Sequence, residues 1–264
     1  MAELTPLEQA LVAAVATGEL LNVTGRAERE IRAEVVRDVL LGRIGDRPDP
    51  RGLRLRGAVV LGPLDLDGMR TAVRLRMRGC RFAEGMLLRG ASLPLLDLGG
   101  STVTGLLADD AVVDGSALLW QKFTGLGPIS LVGARVGGKL DLSTARLDGQ
   151  GGVAMVADRI TVGSDLVLDD VVATGAAAAG TIQLVGAHVG GRLSARRIQA
   201  SNPSGPAIVA ANLHVTDLVD LSKGIDVRGH GREGAMRLVG TRAGSVSLGG
   251  AHLVNPDGWA LAAH

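Results

Sequence analysis

A chain of 264 residues with 46 % apolar residues, 39 glycines and a formal net charge of +1 can bury a sizeable core, and it has no global field favouring nucleic acid or a membrane surface. Glycine shows no three-residue period, which excludes collagen, and apolar residues recur throughout, which excludes a disordered chain. The apolar residues are nearly all Leu, Val, Ile and Ala; tyrosine is absent, and the aromatic residues are Phe82, Phe123, Trp120 and Trp259.

The amino end carries Glu3 and Glu8 and no basic residue before Arg26, unlike a signal peptide. Thr5, Pro6 and Glu8 form a capping box with a starter proline, which predicts a helix from Pro6. A second helix is predicted within residues 26–42. There Ile31, Val35, Val39 and Leu40 share one stripe, and Gly42 is placed to end it. Arg29, Arg32 and Arg37 fall off the stripe. Glu28, Glu30, Glu34 and Asp38 interleave with them, which favours i,i+4 ion pairs over a nucleic-acid-binding helix. Residues 45–52 read as a turn-rich linker. The expected organisation is a helical cap and linker over residues 1–50, covering the first coil, and a β-solenoid over residues 51–264.

From Leu53 onward the apolar residues alternate, as in half-buried strands. Residues 127–142 and 180–195 share ten of sixteen positions at an offset of 53, and residues 152–162 match 205–215 at the same offset. A third copy starts near Gly234, and residues 258–264 begin the second element again. Self-similarity at a fixed period signals stacked repeats. A recurring triplet of small residue, any residue and aliphatic residue appears at Ala134–Val136, Ala145–Leu147, Ala187–Val189, Ala91–Leu93 and Ser101–Val103, with Cys80–Phe82 a variant. Its first and third members are expected to point inward and its middle member outward. The fold class that follows is mostly β: a right-handed parallel β-solenoid with an N-terminal two-helix cap. Three coils of about 18 residues per period are favoured over two and a half of about 20. A sandwich or barrel would need hairpins, and Asn-Gly is absent.

The near five-residue spacing from Leu131 to Val136 and from Leu142 to Leu147 resembles a degenerate pentapeptide-repeat protein. With the N-terminal helices and the Gly-Ala-x-Val-Gly-Gly-x-Leu-x-Leu string, the chain resembles an actinobacterial group labelled membrane-associated oxidoreductase. The resemblance implies a pentapeptide-repeat-like solenoid and, by its label, a redox activity. It departs from strict pentapeptide repeats at Gly137-Gly138 and Gly190-Gly191. Some pentapeptide-repeat proteins act as acidic mimics of duplex DNA, and a chain of charge +1 with an Arg-rich segment does not suit that role.

Between Arg26 and Arg89 there are 15 arginines and 9 acidic residues, so the positive charge is concentrated near the amino end. Arg54, Arg56, Arg74, Arg76 and Arg78 alternate with apolar residues and are expected to stack as an outward ladder able to bind phosphates or carboxylates. The plain alternative is that Asp65 and Asp67, also outward, neutralise the row. Gly149 to Ala154 fits Gly-x-Gly-x-x-Ala, but a repeat strand follows where a dinucleotide site needs a helix, so a simple turn is expected. Asp165, Asp169, Asp170, Asp217 and Asp220 are the candidates for paired carboxylates in sugar chemistry. The five histidines show no metal-ligand spacing. Cys80 occupies an inward slot, as do Met86, Met155 and Met236.

No catalytic, cofactor-binding or metal set emerges, and no cofactor is expected. The leading function is a scaffold or protein-interaction module, cytoplasmic because its single cysteine suits a reducing compartment and no apolar run reaches membrane-spanning length. Its expected partner is another protein, foremost a second copy, met through an uncapped last coil with Trp259 in or near the contact. An oxidoreductase or sugar-acting enzyme, and a binder of nucleic acid or another anionic polymer, are the competing classes.

Overall fold

The structure, a computed structural model, describes residues 3–263. Short alternating stretches separated by glycines leave room for strands of mostly two or three residues, and these form the sides of a four-sided coil. One coil runs through Leu96–Asp97, Thr102–Val103, Leu106–Leu107 and Val112–Val113, which lie on its first, second, third and fourth faces. Each strand pairs in parallel with its counterparts in the coils before and after it. Among the described residues the second face stacks ten strands and the third face nine. The first and fourth faces merge where His214–Asp220 crosses both. The protein is a parallel β-solenoid.

The coil is longer than the repeat pattern suggested. On the first face Leu75 pairs with Leu96, 21 residues on, whereas Leu140 pairs with Leu166 and Leu166 with Leu193, at steps of 26 and 27. Two coils therefore make the 53-residue period, not three of about 18. The added length sits in the corner between the second and third faces, which occupies residues 62–63 in an early coil and 149–154 and 175–181 in later ones. Counting sides by their apolar alternation makes no allowance for so wide a corner. The stacking itself is as expected: Ile129 pairs with Met155 and Met155 with Ile182, so residues 127–142 and 180–195 share faces two coils apart.

In every triplet the first and third side chains are buried and the middle one is not. Arg135, Arg146 and His188 are exposed between Ala134 and Val136, Ala145 and Leu147, and Ala187 and Val189. The buried members join one core running from Leu11 to Leu238, and each fully buried aliphatic side chain contributes about 1.5–3 kcal/mol. The glycine pairs answer to a steric demand at the corner between the fourth and first faces. A Cβ on Gly137 would stand 2.2 Å from the Asp114 carbonyl oxygen, one on Gly163 2.3 Å from that of Gly137, and one on Gly190 2.5 Å from that of Gly163.

At the amino end, α1 (Pro6–Thr17) carries the expected capping box: the Glu8 amide donates to Thr5 Oγ1 at 3.2 Å, and the Thr5 amide to Glu8 Oε2 at 2.9 Å. The second helix, α2, is shorter than its stripe implied and spans Ala33–Leu40. Ile31 belongs instead to Glu30–Arg32, a strand on which Ile31 pairs with Val60 of the next coil. Pairing on the second face overrides the helical periodicity there. Leu21–Asn22 likewise pairs with Leu55 and Arg56 on the first face, so a partial coil lies between the helices. Arg32 does not pair at i,i+4. Its Nε and Nη2 donate to the carboxylate of Glu8 at 2.8 and 2.7 Å, with Glu8 only 1 % exposed.

Candidate anion-binding face

The site begins with two strands of identical pattern. Leu53–Arg56 and Leu75–Arg78 pair in register on the first face, which sets Arg54 beside Arg76 and Arg56 beside Arg78. Leu53, Leu55, Leu75 and Met77 are buried, so period-two alternation turns all four arginines outward. Neighbouring strands lie about 4.8 Å apart and alternate residues about 6.6 Å apart along a strand. The four side chains thus root at the corners of a small rectangle. With Leu20 and Leu55 they bound a recess of about 130 Å³.

Two of these arginines are anchored. Arg54 Nη1 donates to the Gly18 carbonyl, at the end of α1, at 3.2 Å. Arg78 donates through Nε and Nη2 to Asp97 at 2.9 and 2.6 Å, and Asp97 is wholly buried on the next coil. No carboxylate among the described residues lies within ion-pair distance of Arg54, Arg56 or Arg76. The expected neutralisers are elsewhere: Asp65 is on the third face beside Arg37, and Asp67, just past it, meets Arg89. Arg74 does not join the four. It lies before its strand, by the corner from the fourth face, and lines a different recess with Pro48, Pro50 and Pro94.

Beyond the second coil the face changes character. Arg78 and Lys139 approach the Trp120 ring at 5.8 and 5.4 Å from its centroid, and the indole covers Gly99, where a Cβ would stand 2.8 Å from Nε1. Further along, charges meet in pairs, such as Lys139 with Asp141 and Arg196 with Asp169. Burial opposes ionisation of Asp169, yet hydrogen bonds from Arg196 and Ser194 outweigh it and hold the carboxyl below its ordinary value. Among the described residues the unpaired arginines of this face lie in its first two coils.

Asp165, Asp169 and Asp170 each bind an arginine of the following coil. The Gly149–Ala154 segment is a corner between strands, with Met155–Val156 and no helix after it. Cys80 is buried, and burial pushes its thiol up to about 11. Met86, Met155 and Met236 are fully buried. Stacking brings His188 and His214 into register, ring centroids 5.7 Å apart, a pair not visible in the linear spacing. His264 lies outside the described residues. Among those residues no cluster of three or more His, Cys, Asp or Glu is placed to hold a metal.

Trp259 is 73 % exposed and borders a recess of about 540 Å³ with Arg232, Glu233 and Arg237. Val246 and Leu248, in the same terminal region, are exposed as well. Sequence reasoning missed Asp97, Trp120 and Leu20 as neighbours of the basic face. Aligning the Leu-Asp-Leu at 96–98 with the Leu-Arg-Met at 75–77 would have found Asp97.

Fold and face together define a parallel β-solenoid with a localised basic patch. No protein-family model, no curated protein and no solved structure matches the chain. Among the described residues no helix is long and apolar enough to cross a membrane.

Proposed function

We propose that the protein is an interaction scaffold: a rigid solenoid that displays Arg54, Arg56, Arg76 and Arg78 on its first face and docks an anionic partner there. One observation carries this reading. Four arginines stand in register with Asp97 as their single paired carboxylate. Like charges directly opposite on a sheet are destabilising, by about 1 kcal/mol for a pair some 5 Å apart in water. An anion bound across the four reverses that repulsion. The lone buried Cys80 fits a cytoplasmic setting. The test is binding to heparin as a polyanion probe over a salt series. Binding is expected to weaken steeply with salt, and each of Arg56→Gln and Arg76→Gln to lower the salt slope by about 1. Binding unchanged in the double variant would end the reading.

A second reading rests on Trp259, exposed just before the third-face strand Leu261–Ala262, and on Val246 and Leu248, exposed on the first-face side of the same terminal region. Apolar exposure of this kind suits contact with another copy of the chain. Light scattering across a concentration series is expected to show association that Trp259→Ser weakens. A monomer at every concentration would rule it out.

A further inference from the structure

We infer that the recess among Arg54, Arg56, Arg76 and Arg78 takes a phosphoryl dianion, the doubly charged end group of a phosphate monoester. This rests on the basic-face reading and narrows it to one ligand chemistry. The first argument is charge. Four guanidiniums against the single carboxylate of Asp97 leave three formal positive charges around one small space. A carboxylate ligand would cancel one of them and a phosphoryl dianion two.

The second argument is shape. The recess of about 130 Å³ has the room of roughly four water molecules, enough for one tetrahedral oxyanion. Its arginines come from alternate positions of two paired strands and root at the four corners of a rectangle around it. A planar carboxylate offers two oxygens to such a set, whereas a phosphoryl group offers three, and guanidinium forks match them.

The third argument is readiness. Arg78 is fixed by Asp97 and Arg54 by the Gly18 carbonyl, so two of the four donors are held before any ligand arrives. Leu20 and Leu55 form the remaining wall, and their apolar surface strengthens the electrostatic attraction inside.

The experiment is calorimetric titration of the full chain at low ionic strength with methyl phosphate, sulfate and acetate between pH 5 and pH 8. A phosphate monoester loses its second proton near about pH 6. Its affinity is expected to rise about tenfold over this range, following the dianion fraction. Sulfate, a dianion throughout, is expected to bind with little dependence on pH, since arginine does not titrate there. Acetate is expected to bind at least about tenfold more weakly than sulfate, and Arg56→Gln or Arg76→Gln to weaken both dianions by about tenfold. Arg135→Gln, on the exposed fourth face, is expected to change nothing. Acetate binding as tightly as methyl phosphate, no rise with pH, or indifference to both substitutions would overturn the inference. Heparin binding that depends on the four arginines, with no methyl phosphate binding, would sink the phosphoryl site and leave the basic face standing. Loss of both would remove the two together.

Discussion

Single residues reveal which positions serve the stack and which work against it. Gly137 has no room for a Cβ beside the Asp114 carbonyl, whereas a Cβ on Gly249 would meet nothing nearer than 3.9 Å, at Ser222. Gly137→Ala is therefore expected to destabilise by about 1–3 kcal/mol, as overpacking does, and Gly249→Ala to leave the melting temperature nearly unchanged. Thermal unfolding followed by circular dichroism checks both. Arg76 has the opposite signature, because it lies beside Arg54 and forms no ion pair among the described residues, the Asp97 carboxylate on its other side being paired with Arg78. Arg76→Gln is expected to raise the melting temperature of the unliganded protein, most clearly at low salt, where charge repulsion is least screened. A fall in melting temperature would show that Arg76 supports the fold. Binding sites commonly show this trade of stability for function.

Among the elements, the junction of α1 with the strand Glu30–Arg32 depends on one buried ion pair. The Arg32 guanidinium holds the Glu8 carboxyl down to about 2, helped by amide donors from Thr5 and Arg32 against the penalty of burial. The group is more acidic folded than unfolded, so its stabilisation is complete above the ordinary carboxylate range and is lost as pH falls towards about 2. Urea midpoints of the wild type and Glu8→Gln are expected to differ by a constant amount from pH 7 to pH 5. The gap should close progressively at lower pH. A gap that persists unchanged near pH 2.5 would mean that packing, not charge, sets the effect. The same junction explains why α2 begins at Ala33: the three residues before it are already committed to the second face.

Across the molecule, stability is close to a sum over stacked coils, each touching its neighbours. Removing whole coils should then preserve the fold, and removing part of one should not. Deleting residues 166–192 joins Asp165 to Leu193, which pairs with Leu166 on the first face, and the shortened chain is expected to melt cooperatively with an unchanged spectrum. Deleting residues 166–183 would join the first face to Leu184, next to the third-face strand Ile182–Gln183, and is expected to abolish cooperative melting. The reverse outcome would contradict a 26–27-residue coil.

The stacked repeat architecture was legible in the linear chain because burial follows a local rule. A small residue, an outward residue and an aliphatic residue recur wherever the chain turns inward, and that rule identified the buried places of Cys80, Phe82, Val136 and Val189. Alternation with Leu53, Leu55, Leu75 and Met77 likewise showed that Arg54, Arg56, Arg74, Arg76 and Arg78 point outward. Coil length escaped it, since the wide corner at residues 149–154 carries no alternation to count. So did the fate of Ile31, which fits a helical stripe and a strand equally well until Val60 is there to pair with it. The company each arginine keeps is set by residues 19 or more positions away, such as Asp97 beside Arg78 and Gly18 beside Arg54. Spacing along a chain fixes which way a side chain faces, but the charge it meets depends on how many residues complete one turn, and packing of the folded coils sets that number.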